Sequence, residues 1–410
     1  MSQPVGLIQL VGEETLPSVM TMLALKPAGV THIVSRSFER QSTYAMRAAD
    51  SAGAAPEPDQ FTNVVLGDMP SMSEANRAVS KAIADFQRKG HRPVLNFTGG
   101  TKLMAVGAFQ AASSAAVTSL YVDGEHGCFC EGQTGPPLAN LLSNGLKLDL
   151  IGDQLSVKLI ATANGCELQG QGHRFDTFLP LSRHLLTHPD DAHAAWKATH
   201  GPGNVFEPAN RMPNEDRGKW VAILKTEFRL PRTILEMATS AGLVEVCGEL
   251  ARIRSEVDLN SSKQIPLVDK LRLQGDVQSR LNFFGGGWWE VAVAGAVAKC
   301  TAFRDVRWSA EVAKEHQPCL EEDILAIQGI QLAYFSCKRG SQRGVMRQLE
   351  EVDASARRVG GRMARKYFCV CHLGKRLRDD VRSRAKQLRI GIVTDVDVVD
   401  LDDFLKRGGL

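Results

Sequence analysis

The sequence predicts an α/β fold with a parallel sheet near the N-terminus, a helical or winged-helix middle region and a second α/β unit near the C-terminus. In residues 1–150, short apolar runs alternate with segments of helical spacing, which is typical of a Rossmann-like sheet with crossover helices. A second alternation of this kind begins at Gly285. The length of 410 residues, with 43% apolar and 23% charged side chains, is sufficient for two or three globular domains.

The N-terminal alternation resolves into individual elements. Short apolar runs predict strands, and apolar residues about one helical turn apart, such as Ala75, Ala78 and Ala82, predict helices. The predicted strands are Val5–Val11, Thr31–Ser35, Phe61–Leu66, Pro93–Phe97 and Val117–Val122. The predicted helices are Thr15–Leu25, Ser42–Ala52, Ser73–Lys89 and Leu103–Ala116.

The rest of the chain divides at the point where the alternation resumes. Between the two α/β units, helical patterns at 220–224 and 231–241 and a wing strand at 243–247 predict a helix-rich, winged-helix-like region. After it we expect the helix Trp288–Lys299 and then strands near 306–310, 323–327, 332–337, 366–372 and 390–393. The predicted domains are therefore residues 1–150, 151–284 and 285–410.

The charge, the cysteine content and the apolar stretches of the sequence indicate the cellular compartment that we expect for the protein. There are 49 basic and 46 acidic residues, and the net charge of +3 is too small to predict a nucleic-acid partner by itself. Nine scattered cysteines, an odd number, predict reduced thiols in the cytoplasm. The N-terminal segment has no basic region and reaches Glu13 and Glu14 before a signal-length apolar stretch. The most apolar window, 288–300, is too short to span a membrane, so we expect neither secretion nor membrane insertion.

The first motif with chemical meaning is Asn96-Phe97-Thr98-Gly99-Gly100-Thr101-Lys102-Leu103-Met104, where a predicted strand passes into a helix. Two glycines allow close backbone approach, and helix N-terminal amides with threonine and lysine side chains favour a phosphate. The motif is neither a Walker A sequence nor a dinucleotide fingerprint. A tight turn capped by threonine explains the same residues equally well.

The second motif combines Glu290 on a predicted helix, Asp323 on a strand and Lys338 at the end of the next strand. Carboxylates bind Mg²⁺ or Mn²⁺, the metal polarises a phosphodiester, and lysine stabilises the developing charge. The alternative is a solvated strand end with a surface lysine.

A basic segment follows that lysine. From Lys338 to Arg389 there are 16 basic residues against 5 acidic residues. This local excess of positive charge is not evident from the net charge of the whole chain. Such a segment suits a nucleic-acid backbone, although acidic patches elsewhere could balance it.

Cysteine and histidine spacings elsewhere predict no metal site. Cys128-x-Cys130 and Cys369-x-Cys371-His372 lack the usual zinc spacing, so buried structural thiols are the favoured interpretation. Histidines 173, 184, 188, 193 and 200 lie in one polar stretch and are interpreted as surface residues.

Taken in order, the motifs resemble those of CRISPR-associated Rossmann-fold (CARF) effector nucleases of type III CRISPR systems. The N-terminal resemblance centres on Asn96 to Met104. The C-terminal resemblance is to a PD-(D/E)xK restriction-endonuclease-like domain and is carried by Leu320-Glu321-Glu322-Asp323 and Ser336-Cys337-Lys338-Arg339-Gly340. The middle region matches by position only.

The resemblance implies a cytoplasmic homodimer that binds a cyclic oligoadenylate, the tetramer in particular, and then cuts single-stranded DNA or RNA, or nicks duplex DNA, with Mn²⁺ or Mg²⁺. It implies an activator pocket lined by Thr98, Gly99, Gly100, Thr101, Lys102 and Met104, with Gly12 and the segment from Ser35 to Ser37 as further candidates. It also implies that Glu290, Asp323 and Lys338 are catalytic.

One position departs from the family pattern. Ser336 stands where a metal-binding carboxylate is expected, and a serine is a much weaker ligand for a divalent cation. Glu290 or Glu321 could replace it, with Asp323 as the remaining ligand. Otherwise the C-terminal domain is degenerate, and the protein senses the activator or regulates transcription without cutting. A third alternative is slow cleavage of the activator by the Rossmann domain itself.

Overall fold

A computed structural model describes residues 3–132, 134–142, 145–169, 175–200, 226–254, 280–315, 317–339, 344–371 and 378–408. The predicted helix at 220–224, His173, Gly340 and His372 lie outside the described residues. None of the helices within those ranges combines the length and the apolar composition needed to cross a bilayer.

The N-terminal unit is a six-stranded sheet of order β3-β2-β1-β4-β5-β6, in which only β6 is antiparallel to its neighbour. Its strands are β1 (Val5–Val11), β2 (Gly29–Ser35), β3 (Phe61–Leu66), β4 (Arg92–Asn96), β5 (Thr118–Asp123) and β6 (Cys128–Glu131). Its helices are α1 (Leu16–Leu25), α2 (Glu39–Ser51), α3 (Met72–Arg88) and α4 (Lys102–Ser114). The Rossmann-like prediction is confirmed, because the chain order reverses between β1 and β4.

Side-chain alternation along the strands builds two apolar layers. Leu7 of β1 packs with α1 and α2 on one face, whereas Ile8 and Leu10 pack with α3 and α4 on the other. This is the arrangement expected for a parallel sheet covered by helices on both faces.

The middle region connects the two α/β units and contributes to both. The short helix α5 (Val157–Ala163) packs with α1, α2 and the C-terminal unit in one apolar cluster. Strand β7 (Cys166–Gln169), which the sequence does not predict, pairs antiparallel with the C-terminal sheet. Two helices follow, α6 (Leu179–Thr187) and α7 (Pro189–His200).

A small antiparallel module occupies residues 226–254. It contains β8 (Glu227–Phe228), the helix α8 (Arg232–Ser240) and the hairpin β9 (Val244–Cys247) and β10 (Leu250–Ile253), with strand order β8-β10-β9. The helix and wing strand predicted at 231–241 and 243–247 are therefore present.

The C-terminal unit is a mixed six-stranded sheet of order β15-β14-β13-β12-β11-β7. The helix Trp288–Lys299 packs on one face, and the helix Val345–Gly360 packs on the other. Its strands are β11 (Phe303–Lys314), β12 (Gln317–Gln328), β13 (Gln331–Arg339), β14 (Arg365–Cys371) and β15 (Ile390–Thr394). Its helices are α9 (Trp288–Lys299), α10 (Val345–Gly360), α11 (Asp379–Gln387), α12 (Asp395–Val399) and α13 (Leu401–Lys406).

A buried histidine in the N-terminal sheet has a measurable consequence for stability. The side chain of His32 is fully buried and contacts Gln9 at 3.2 Å and Ser42 at 2.8 Å. Burial lowers the pKa of His32 from its ordinary 6.5 to about 3. Since the unfolded chain takes up this proton first, the stabilisation is complete above pH 6.5 and is lost as the pH falls towards 3.

We therefore expect the free energy of unfolding to fall more steeply with acidification in the wild type than in His32→Gln. The difference in slope should be about 1.4 kcal/mol per pH unit between pH 6 and pH 4. Urea unfolding of both proteins across this range measures it. If the free energy of unfolding changed equally with pH in both proteins, His32 would not be a buried neutral imidazole.

Candidate functional site

Two glycine-containing turns meet at the switch point of the N-terminal sheet. β1 and β4 are parallel neighbours, so Gly12 after β1 and the turn after β4 lie at the same edge. A methyl group on Gly12 would lie 2.8 Å from the amide nitrogen of Gly100, and one on Gly99 would lie 2.2 Å from the carbonyl oxygen of Leu10. Gly100 has a φ of +75°, which a residue with a side chain rarely adopts. These glycines allow the two backbones to touch where ligands of open α/β sheets bind.

A buried polar network holds the turn in place. The amide of Asn96 donates to Gln9 at 3.2 Å and to Thr21 at 2.9 Å, and its oxygen accepts from the Thr98 backbone and hydroxyl at 3.0 and 2.6 Å. The same hydroxyl accepts from the backbone N–H of Val122 at 2.7 Å. The Thr98 side chain is thus engaged in positioning the turn. No local pattern in the sequence indicates the network beneath it.

The remaining predicted pocket residues lie at the start of α4, and they differ in exposure. Thr101 caps the helix, since its hydroxyl accepts from the Met104 backbone at 3.2 Å, and Lys102 is exposed beside it. The Met104 side chain is fully buried and packs in the apolar layer under the sheet. A methyl group on Gly100 would lie 3.2 and 3.3 Å from the Cε and Sδ atoms of Met104, so the buried thioether packs directly against the glycine turn, while Leu103 is 58% exposed.

A cleft of about 970 Å³ opens between the N-terminal and C-terminal units. The loop after β1 and the segment after β2 line one wall, and α5, β11 and α10 contribute the opposite wall. Ser37 lines this cleft and donates to Asp68 at 3.1 Å, whereas Ser35 is buried at the end of β2. Basic side chains from both units line the cleft, namely Arg36, Arg40, Lys314, Arg357 and Arg358.

Ion pairs bridge this cleft close to the glycine turn. The Arg362 backbone N–H donates to both carboxylate oxygens of Glu14 at 3.1 Å, and its guanidinium contacts Glu13. On the other side, Glu315 accepts from Arg40 at 3.4 Å and from Tyr44 at 3.2 Å. Burial raises the pKa of Glu14. The loop that touches the glycine turn is therefore the same loop that holds the C-terminal unit.

The second site forms where β12 and β13 lie side by side. Asp323 Oδ2 accepts from the Cys337 backbone N–H at 2.7 Å, from the Ser336 hydroxyl at 3.4 Å and from Lys338 Nζ at 3.4 Å. Although burial alone would lower the pKa of Lys338, the charge of Asp323 and its hydrogen bond hold that pKa above the ordinary value. The lysine therefore remains an ammonium at neutral pH, and its side chain is 41% exposed.

Glu290 approaches the same site from the first turn of α9. Burial and the neighbouring charge of Asp323 raise the pKa of Glu290 to about 8, while the nearby Trp308 side chain acts in the opposite direction. Lys338 and Glu321 are the other charges that act on it. The structure therefore brings the three residues that the sequence singled out into one constellation.

The neighbouring glutamates differ because successive residues of a strand face opposite sides. Glu321 shares the face of Asp323 and accepts a hydrogen bond from the Ser309 hydroxyl. Glu322 faces the other side, where it is 3% exposed, pairs with Arg358 and accepts from Tyr334 at 2.8 Å. Glu322 thus links α10 to the sheet beneath Asp323.

The side chains at this second site carry the type of ligand atom that a hard divalent cation prefers. Carboxylate oxygens from Glu290, Asp323 and Glu321 and the Ser336 hydroxyl are oxygen ligands of the kind that Mg²⁺ and Mn²⁺ prefer. The three carboxylates do not all lie within 4.8 Å of one another; among the described residues only a different group, discussed below, is gathered that closely.

Part of the basic segment is used within the protein. Arg347, Arg357, Arg378 and Arg384 pair with nearby acidic residues in or around α10 and α11. Most of these pairs are exposed, and such pairs contribute little to stability, so their guanidinium groups could exchange partners for phosphates at small cost.

No protein-family model and no curated protein matches this sequence. Solved structures do share its fold. Protein VC1899 from Vibrio cholerae is 13% identical, with 98% of this chain and 97% of that chain covered and a TM-score of 0.70. Can2 from Sulfobacillus thermosulfidooxidans, solved with cyclic tetra-adenylate, is 16% identical over 99% of both chains with a TM-score of 0.67.

A third structure is that of a type III CRISPR defence DNA nuclease activated by cyclic oligoadenylate. It is 14% identical, with 90% of this chain and 45% of that chain covered and a TM-score of 0.52. At these identities the likeness concerns the fold. The resemblance predicted from the sequence is confirmed at that level: the chain has the fold of Can2 over 99% of its length and the fold of the cyclic-oligoadenylate-activated DNA nuclease over 90%.

Proposed function

We propose that this protein is a cytoplasmic, metal-dependent nuclease of type III CRISPR defence that cyclic tetra-adenylate activates. The observation that carries the proposal is the contact of Lys338, Ser336 and the Cys337 backbone with one carboxylate oxygen of Asp323, with Glu290 beside them. The shared fold with Can2, whose structure contains that activator, supports the proposal.

In this proposal each residue of the C-terminal site has a chemical role. Glu290 and Asp323 hold a Mg²⁺ or Mn²⁺ ion, with Ser336 and Glu321 as neighbouring oxygen donors. When bound, such an ion polarises a phosphodiester and makes a bound water more acidic. Lys338 donates hydrogen bonds to the phosphate and stabilises the negative charge that develops there.

The N-terminal site recognises the activator through its phosphates. Backbone amides around Gly99 and Gly100, the N-terminus of α4 and the exposed Lys102 present positive electrostatic potential at the sheet edge. Gly12 leaves room for the turn, and Thr98 fixes its shape. Activator phosphates beside Gly12 would repel the negatively charged carboxylates of the adjacent Glu13 and Glu14. These two residues contact Arg362 across the cleft.

The homodimer in this proposal needs an apolar surface near the activator turn. Leu103, Val106 and Phe109 follow one another along α4 at 58%, 48% and 36% exposure. Burying such a strip against a second copy would place two activator turns close together, as a cyclic ligand requires.

The test is a cleavage assay on labelled single-stranded DNA, single-stranded RNA and supercoiled plasmid. Each substrate is incubated with and without cyclic tetra-adenylate in Mn²⁺ or Mg²⁺. We expect cleavage that requires both activator and metal. Activator binding without cleavage of any of the three substrates would instead support the alternative, a sensor that binds nucleic acid or regulates transcription.

Ser336 distinguishes a working site from a degenerate one. It is 5% exposed and faces Asp323, so Ser336→Glu would place a third carboxylate beside Asp323 and Glu290. We expect this variant to reach half-maximal cleavage at about tenfold lower Mg²⁺ concentration than the wild type, because each carboxylate strengthens divalent-cation binding. A titration of cleavage rate against Mg²⁺ measures the shift, with Ser336→Gln as the uncharged control. An unchanged or higher metal requirement would show that Ser336 does not border the metal.

A further inference from the structure

The hairpin formed by β5 and β6 places two thiols and a carboxylate together outside both sites described above. One ligand atom each from Asp123, Cys128 and Cys130 lies within 4.8 Å of the others. We infer that this hairpin is a binding site for a thiophilic divalent cation, Zn²⁺ in particular. The inference depends on neither the activator nor the nuclease assignment.

The register of the hairpin explains why these groups converge. Asp123 and Cys128 are directly opposite each other in the antiparallel ladder, so their side chains share a face. Cys130 is two residues beyond Cys128 on the same strand and therefore lies on that face as well. Phe129, between the cysteines, is buried on the opposite face. The site faces solvent, since Cys130 is exposed and Asp123 and Cys128 are half-buried.

Hydrogen bonds within the turn orient the carboxylate. Asp123 Oδ1 accepts from the backbone N–H groups of Glu125 and His126 at 3.0 and 2.9 Å. The second oxygen, Oδ2, lies 2.7 Å from the Nδ1 atom of His126. Carboxylates that ligate metals in proteins are themselves held by hydrogen bonds, and His126 with the two backbone groups supplies them here.

The ligand types select the cation. Zinc bonds to thiolate sulfur at about 2.3 Å and to carboxylate oxygen at about 2.0–2.2 Å, so ligand atoms around it are roughly 3.3–3.8 Å apart. The three atoms already lie within 4.8 Å of one another, so side-chain rotation would bring them to that spacing, and a water would complete four-coordination. Thiolates favour zinc over Mg²⁺ and Mn²⁺, so this site differs in kind from the all-oxygen site at Asp323.

The location of the hairpin gives the site a structural role. The Gly124 carbonyl accepts from Gln331 of the C-terminal unit at 3.1 Å, and Glu125 lies 3.9 Å from Arg389. At its other end, the Val122 backbone bonds to Thr98 in the glycine turn. A metal that ties Asp123 to β6 would fix the segment connecting that turn with the C-terminal unit.

Cobalt substitution tests the inference on the full-length protein, because thiolate ligation gives a charge-transfer absorption that oxygen ligands do not give. After treatment with a chelator, we expect one equivalent of Co²⁺ to produce this band and one equivalent of Zn²⁺ to remove it. The band should disappear in the double variant Cys128→Ser/Cys130→Ser and persist in Cys247→Ser, a half-buried free cysteine of the wing hairpin. Asp123→Asn, which keeps the turn hydrogen bonds, should weaken Zn²⁺ binding at least about tenfold.

A second measurement uses the wild-type chain and does not depend on the variants folding. Zn²⁺ should protect Cys128 and Cys130 from alkylation by iodoacetamide while Cys247 and Cys319 react unchanged, as peptide mass spectrometry reports. Equal alkylation with and without Zn²⁺, or a thiolate band that persists in the double variant, would overturn the inference.

Discussion

Lys338→Ala is expected to reduce activator-dependent cleavage by about 100- to 1000-fold, the loss typical when one preorganised donor to a developing oxyanion is removed. The physical reason is charge: the ammonium lies 3.4 Å from Asp323 and has a raised pKa, so it is a fixed positive charge next to the proposed metal ligands. Initial rates on the best substrate of the cleavage assay, at saturating activator, measure the effect.

The same variant should remain folded and should bind activator normally. The Lys338 side chain is 41% exposed, and partly exposed ion pairs contribute at most about 1 kcal/mol. Lys299→Ala is the matched control, because Lys299 is an exposed lysine in the last turn of α9, the helix that carries Glu290 in its first turn. Full cleavage by Lys338→Ala, or equal losses in both variants, would remove Lys338 from the proposed site.

Gly99→Ala should uncouple the protein from its activator. The added methyl group would lie 2.2 Å from the Leu10 carbonyl oxygen, a backbone atom that cannot move without shifting β1. The turn must move instead, and its amides then no longer converge on a phosphate. Such overpacking costs about 1–3 kcal/mol, so we expect the affinity for cyclic tetra-adenylate to fall up to about 100-fold, with cleavage at the activator-free level.

Gly67→Ala provides the matched comparison for this prediction. Gly67 follows β3 at the same edge of the sheet, and a methyl group there would meet nothing within 4 Å. Calorimetric titration with the activator and thermal melting of both variants separate lost binding from lost folding. Wild-type affinity in a folded Gly99→Ala protein would exclude the glycine turn as the activator site.

The sequence was most informative where local pattern and tertiary role coincide. β1 and β3 were predicted with the bounds that the structure has, because their apolar runs and flanking turns are local signals. β7 was missed because its four residues, Cys166–Gln169, become a strand only through pairing with β11, far away in the sequence. Local propensity does not contain such a contact.

In the candidate sites too, local features could be predicted from the sequence, whereas contacts with distant residues could not. Asp323 and Lys338 could be paired from sequence because Asp323 begins one predicted strand and Lys338 follows the end of the next, and Glu321 could be placed on the face of Asp323 from strand alternation. The partners of the glycine turn could not be identified in this way. The Asn96 amide donates hydrogen bonds to Gln9 and Thr21, and the sequence around Asn96 does not indicate which distant residues accept them. Likewise, Glu13 and Glu14 were noted only for interrupting an apolar stretch, whereas their structural partner is Arg362.

The pairing of β7 with β11 determines where this chain can be cut. A fragment that began at residue 285 would lack β7 and leave the N–H and C=O groups of Glu311 to Lys314 exposed on a bare edge strand. Unpaired edges of this kind recruit other chains and promote aggregation. A C-terminal fragment for separate expression should therefore begin before Cys166. The segment that leads out of the N-terminal unit is also the outermost strand of the C-terminal sheet, so the two units share a structural element as well as a polypeptide.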